Sequence, residues 1–184
     1  LRDPESVRLF DELGPVSGRF GADWSWLFPV FWQETRENAP FGLNLRPWKS
    51  GNFAELLTHQ LRHNERRIIG LAARRDDIGA IRSHAPAAAI IRPASFTEFA
   101  SACGNLSFGL AMRYHAGLAM LRAGLPVKLA AYDNKVAWLA EDAGVLTLQQ
   151  NQLTDFRRAR QGFCEENSSR LQSMRQAFDG MLTE

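Results

Sequence analysis

The chain has 184 residues, of which 45% are hydrophobic and 23% are charged, as in an ordinary globular protein. The 22 Lys and Arg residues against 20 Asp and Glu residues give a net charge of +2, so nothing in the composition indicates a nucleic-acid partner. Two widely separated cysteines, Cys103 and Cys164, lack metal-site spacing and are expected to be reduced thiols. No apolar run reaches the roughly 18–20 residues of a membrane span, and no signal peptide opens the chain.

The first 40 residues predict one helix followed by an irregular aromatic segment. Residues 3–13 begin with Asp3 as a capping residue and Pro4 in the first turn, and they carry an apolar stripe, so a helix ending at Gly14 is predicted. Residues 24–32, WSWLFPVFW, contain three Trp and two Phe residues. We expect so dense an aromatic run to pack against another surface rather than to face solvent.

From residue 41 onward, short apolar runs alternate with amphipathic ones. Strands are predicted at 41–45, 67–73, 87–93, 106–112, 126–132 and 145–149, and helices at 52–64, 76–85, 95–103, 114–124 and 134–144. This alternation is typical of βαβ units and predicts an α/β fold with a Rossmann-like parallel sheet flanked by helices. Residues 154–181 predict a polar helical tail with an intermittent apolar stripe.

Basic side chains recur where predicted strands meet predicted helices. They are Arg46, Lys49, Arg92, Arg113 and Lys135, joined by His115. Open parallel sheets bind ligands at the carboxyl ends of their strands, and helix N-termini there attract anions. The pattern therefore favours a site for a phosphate or a carboxylate.

Structural roles for the same residues stay open at this point. Arg113 can pair with an internal Asp, His115 can satisfy a buried helix start, Asp133 suits an N-cap, and Lys135 suits a solvated position. The motifs GxGxxG, GxxxxGK[ST], GxSxG and HExxH are absent. Their absence argues against a dinucleotide oxidoreductase, a nucleotide hydrolase, a serine hydrolase and a zincin.

Residues 111–145, AMRYHAGLAMLRAGLPVKLAAYDNKVAWLAEDAGV, resemble the polysaccharide pyruvyl transferase family. The similarity is carried by the patterns Arg-x-His, Gly-x-Pro and Tyr-Asp-x-Lys-Val. The segments LRDPESVRLFDELG, GADWSWLFP and FGLNLRPWK are similar to upstream segments of the family, in the same order. The chain departs from the pattern at Tyr114, where Leu is usual, and at Asn134 and Trp24, where Pro is usual.

The resemblance implies a GT-B-like architecture, in which two Rossmann-like domains face each other across a cleft, and it covers only the second half. Residues 1–40 would then be the end of a preceding domain plus a crossover linker, residues 41–150 the C-terminal domain, and residues 151–184 a helical tail. The start at Leu1 agrees with a fragment. The aromatic run and the tail are expected to leave an apolar surface that dimerises or packs against a neighbour.

The resemblance also implies transfer of pyruvate from phosphoenolpyruvate to a sugar as a cyclic ketal. Arg113 would hold the donor anion, and His115 would transfer the proton or contact the departing phosphate. The further substrate contacts would be Arg46, Lys49, Arg92, Tyr132 and Lys135. No metal and no cofactor besides the donor substrate are implied.

The acceptor implied is a cell-surface polysaccharide or its lipid-linked precursor. The expected location is therefore the cytoplasm, at the inner face of the membrane if the acceptor is lipid-linked; a homo-oligomer is left open, and nucleic acid is not expected as a partner. Two other functions remain: a GT-B glycosyltransferase that uses a nucleotide-sugar, and a non-catalytic anion-binding domain.

Overall fold

A computed structural model describes residues 4–14, 23–28, 30, 38–48, 55, 57–58, 61, 65–148, 164–173 and 175–176. Helix α1, Pro4–Leu13, confirms the first predicted helix, and three of its apolar side chains are exposed: Leu9, Phe10 and Leu13. A short 3-10 helix, Trp24–Leu27, follows and begins at Asp23, whose side chain accepts a hydrogen bond from the backbone N–H of Ser25. Of the aromatic run, Trp26 packs against the core and Phe28 is half exposed.

Five parallel strands form one sheet in the order β3-β2-β1-β4-β5, which confirms the predicted Rossmann-like α/β fold. The strands are β1 (Phe41–Asn44), β2 (Ile68–Leu71), β3 (Ala89–Ile91), β4 (Phe108–Ala111) and β5 (Val127–Leu129). Of the sixth predicted strand, at 145–149, residues 145–148 are described, and within them the structure has a single parallel bridge, between Leu129 and Thr147. The strand order reverses direction between β1 and β4, so the switch point lies between these two strands.

Four helices that the structure describes in full connect or follow these strands and agree with the predicted ones. They are α2 (Asp77–His84), α3 (Phe96–Cys103), α4 (Tyr114–Ala123) and α5 (Asn134–Asp142). Residues 55, 57–58 and 61 are helical within the predicted helix 52–64, and residues 164–173 and 175–176 are helical in the predicted tail. Within the described ranges, no helix is both long enough and apolar enough to cross a membrane.

The sheet separates two hydrophobic clusters. On one face, helices α3, α4 and α5 contribute Phe99, Leu118 and Leu139. On the other face, Ile81 of α2 packs with Leu57. Leu110 and Ala111 are consecutive in β4 and belong to different clusters, because successive side chains of a strand point to opposite faces of the sheet. Helices on both faces therefore leave the carboxyl ends of the strands as the edge at which ligands of such sheets bind.

Candidate functional site

The buried side chain of Asn44 organises the carboxyl ends of the central strands. Its Nδ2 donates to the carbonyl oxygen of Leu71 at the end of β2, at 2.8 Å. Its Oδ1 accepts from the backbone N–H of Arg113 at 3.1 Å. One amide thus joins the ends of β1 and β2 to the residue that precedes α4, and it fixes where α4 begins beside the switch point.

Arg113 is held by a buried carboxylate. Its Nε lies 2.9 Å from both oxygens of Asp77, which is fully buried, and its Nη2 contacts Asp77 and, at 3.3 Å, the exposed Asp76. Burial opposes the charge of Arg113, but the hydrogen bonds and charge of Asp77 outweigh that effect and raise the pKa of the guanidinium. The pairing with an internal Asp that the sequence left open is therefore present. The assignment of Arg113 to a donor anion stays a prediction.

His115 forms a pair with the carboxylate of Asp23. Nε2 of His115 lies 3.5 Å from Oδ1 of Asp23; the imidazole is 58% exposed and the carboxylate only 8% exposed. The same oxygen accepts the backbone N–H of Ser25 at 2.9 Å. Burial alone would raise the pKa of Asp23, but the bonds from His115 and Ser25 outweigh burial and hold that pKa well below its usual range. Asp23 is therefore an anion beside the imidazole.

A cavity of about 580 Å³ opens beside this pair at the carboxyl ends of β2, β3 and β4. Its lining comprises Asp23, Ser25, Phe28, Ala73, Pro93, Ala94, Ser95, Phe96, Phe99, His115 and Ala116. The hydroxyl of Ser25 is buried, and no described atom stands in hydrogen-bonding geometry to it.

The start of α4 faces the same cavity through His115 and Ala116. The residue before this helix, Arg113, makes no side-chain hydrogen bond to the helix N–H groups. In contrast, Ser95 caps α3 and Asp133 caps α5. The first turn of α4 can therefore offer N–H donors and a positive dipole to an anion.

A second polar group lies at the ends of β1 and β5. Nη1 of Arg46 donates to the hydroxyl of Tyr132 at 2.7 Å, and its guanidinium lies 4.8 Å from the centre of that ring. Burial and a hydrogen bond with Asp133 raise the pKa of Tyr132, against the opposing effect of Arg46. Arg92 is exposed directly after β3, Lys135 is exposed in the first turn of α5, and Lys49 lies outside the described residues.

Sequence reasoning assigned no functional role to the acidic partners of the site. Asp23 lies in the segment GADWSWLFP quoted above, and Asp77 lies in residues 74–77, RRDD. Neither segment shows by its sequence which basic side chain its carboxylate contacts. In the part of the chain that the structure describes, no three His, Cys, Asp or Glu side chains come together as metal ligands.

Comparison of the chain with protein-family models, with curated proteins and with solved structures found no match in any of the three. The resemblance to the pyruvyl transferases therefore depends on the motifs quoted above. The fold is a Rossmann-like α/β sheet by its own topology.

Proposed function

We propose that this chain carries the acid–base site of a pyruvyl transferase that moves pyruvate from phosphoenolpyruvate to a saccharide. The observation that carries the proposal is the pair of His115 and Asp23 beside a 580 Å³ cavity, next to a helix start without a side-chain cap. A proton donor and an anion-binding helix start are what an enol phosphate needs in one place. The motif resemblance supplies the identity of the donor.

The proposed chemistry assigns His115 two successive roles. Protonated His115 donates its proton to the methylene carbon of the enol, while a sugar hydroxyl attacks the carbon that bears the phosphate. The proton of that first hydroxyl leaves with the phosphate as hydrogen phosphate, and neutral His115 takes the proton of a second sugar hydroxyl as this hydroxyl displaces the phosphate. Two C–O bonds to the sugar form, one C–O bond to phosphate breaks, and the methylene becomes a methyl group. Asp23 orients the imidazole through the 3.5 Å contact between its Oδ1 and Nε2 of His115.

Anion binding is proposed for the remaining basic residues of the same edge. Arg46, Lys49, Arg92 and Lys135 follow strands of the sheet, and Tyr132 orients Arg46 through the 2.7 Å hydrogen bond. Arg113 contributes by setting the start of α4 through Asn44, in addition to the donor contact that the resemblance implies. The acceptor is proposed to be a cell-surface polysaccharide or its lipid-linked precursor.

The test combines ligand binding with one substitution. We expect phosphoenolpyruvate to raise the melting temperature of the protein that carries this chain, and His115→Gln to retain that shift. His115→Gln removes the titratable proton and should lower turnover by about 10²–10⁴-fold, the range for losing a general acid or base. The matched control is His84→Gln, because His84 stacks on Trp48 away from the cavity lining and should leave turnover unchanged.

Two outcomes would contradict the proposal. Turnover of His115→Gln near that of the wild type would remove His115 from the chemistry. A melting-temperature shift with nucleotide-sugars and none with phosphoenolpyruvate would favour the glycosyltransferase alternative on the same fold.

A further inference from the structure

Arg122, in the last turn of α4, contacts the backbone of the 3-10 helix that follows Asp23 and of the residue that ends it. Its Nη1 donates to the carbonyl oxygen of Ser25 at 2.8 Å, and its Nη2 donates to that of Phe28 at 3.0 Å. The guanidinium also lies 4.5 Å from the ring centre of Trp26. Residues 23–28, which we call the Asp23 segment, are therefore attached to α4 by one cation through two hydrogen bonds and a cation–π contact.

His115 and Arg122 lie on one face of α4, since seven residues are about two helical turns, or roughly 10 Å. His115 meets the beginning of the Asp23 segment, and Arg122 meets its middle and end. Phe28 in turn contacts Phe96, with ring centres 6.1 Å apart, in the cavity wall. The segment that supplies Asp23, Ser25 and Phe28 to the cavity thus depends on α4 at two points.

We infer that Arg122 is a positioning residue: it holds the Asp23 segment on α4 so that the Asp23 carboxylate meets His115 and the cavity keeps its wall. Half-burial lowers the pKa of Arg122, but an Arg side chain stays protonated in proteins, so the attachment is charge-assisted at neutral pH. The effect of Arg122 on turnover rests on the proposed function. Its effect on the contact between Asp23 and His115 does not depend on that function.

The test follows the Asp23 carboxyl group by carbon-13 NMR during an acid titration, with the signal assigned by Asp23→Asn. In Arg122→Gln we expect the pKa of Asp23 to rise by about one to three pH units, because the imidazole and the Ser25 N–H no longer meet the carboxylate. In His115→Gln, the change in the pKa of Asp23 shows the effect of losing the imidazole alone. Arg122→Lys replaces a guanidinium that donates from two nitrogens with a single ammonium group. The pKa of Asp23 in this variant should therefore lie between its values in the wild type and in Arg122→Gln.

Arg82→Gln is the matched control, because Arg82 is an exposed Arg in the last turn of α2. It removes the same charge from the last turn of a helix and should leave the Asp23 titration unchanged. An unchanged Asp23 titration in folded Arg122→Gln would overturn the inference. If Arg122→Gln does not fold, Arg122→Lys decides by the same criterion.

Turnover adds a separate readout. If the proposed function holds, Arg122→Gln and Asp23→Asn should lower kcat by similar factors, and the double variant should lose little more, because both changes remove the same carboxylate from His115. Failure of the proposed function would leave the NMR result standing, since that titration uses no substrate. If the pKa of Asp23 changes in Arg122→Gln while kcat does not, then Arg122 positions Asp23 as inferred, but the proposed role of Asp23 in turnover is wrong.

Discussion

At the scale of single residues, Asp77 shows why Arg113 is placed where it is. A fully buried carboxylate needs a partner, and Arg113, with 14% of its side chain exposed, supplies Nε and Nη2 to it. The backbone N–H of Arg74 donates to the same carboxylate at 3.0 Å. Removing one member of such a buried pair leaves an uncompensated charge, which costs more than the intact pair contributes.

We therefore expect Asp77→Asn to lower the free energy of unfolding by about 3–5 kcal/mol, as for other broken buried ion pairs. Urea denaturation at neutral pH measures this. The neighbouring Asp76→Asn is the matched control, because Asp76 is 57% exposed and lies 3.3 Å from the same guanidinium; it should cost less than about 1 kcal/mol. Equal, small losses in both variants would show that Arg113 does not depend on Asp77 and is free for an anion.

The residues that begin and end helices were predictable from the sequence, because their roles depend on neighbours only a few positions away. Ser95 and Asp133 each accept a hydrogen bond from a backbone N–H three residues later, and Gly124 takes a positive φ of 84° at the end of α4. The partners of Arg113 were not predictable in the same way. Asn44 lies 69 residues from it and Asp77 lies 36 residues from it, so only the assembled sheet brings them together.

At the scale of elements, α4 carries the site and packs closely on the sheet. A Cβ added at Gly117 would lie 2.6 Å from Cδ2 of Leu129 and 3.3 Å from Cδ2 of Leu139. Both leucines are buried in the cluster on that face, so neither has empty space to move into. The glycine thus lets the helix approach β5 closely, despite the usual cost of glycine within a helix.

Gly117→Ala is expected to lower the free energy of unfolding by about 1–3 kcal/mol through overpacking. Gly79→Ala, in the middle of α2, is the matched control: nothing lies within 4 Å of its added Cβ. It should raise the free energy of unfolding by about 0.4–1 kcal/mol. Thermal or urea unfolding measures both variants, and a gain in both would mean that α4 is not held close by Gly117.

The elements themselves followed from hydrophobic pattern more reliably than their ends did. The predicted strand at 145–149 has the right composition, but in its described part, residues 145–148, pairing with the sheet is confined to one bridge, between Thr147 and Leu129. The hydrophobic pattern of a segment predicts which of its side chains are buried. Whether its backbone also forms hydrogen bonds with an edge strand depends on how the segment approaches that strand, which the pattern does not show. The 3-10 helix at Trp24–Leu27 was not predicted, since four residues carry too little periodicity to reveal a helix.

At the scale of the whole molecule, the strand order decides which residues meet. Placing β1 between β2 and β4 brings Asn44, Leu71 and Arg113 to one point and leaves the cavity beside α3 and α4. The α/β class was predictable from alternating strands and helices. The pairing of Asp23 with His115 was not, because it joins the segment before the sheet to a helix that follows its fourth strand.

Cys103, buried between α3 and the sheet, gives this chain a built-in chemical reporter of unfolding. Its thiol is fully buried and donates to the carbonyl oxygen of Phe99 at 3.2 Å, and burial raises its pKa to about 12. Because the thiolate is the reactive form, a thiol reagent at pH 8 should label Cys103 at least roughly 10³-fold more slowly in the native protein than in urea.

In a Cys164→Ser background, absorbance of the released reagent would follow Cys103 alone, since these are the two cysteines of the chain. Fast native labelling would mean that the core around α3 opens without global unfolding. Slow labelling would let each substitution discussed above be ranked by a reaction rate under native conditions, because the exposed fraction of this thiol then equals the unfolded fraction of the molecule.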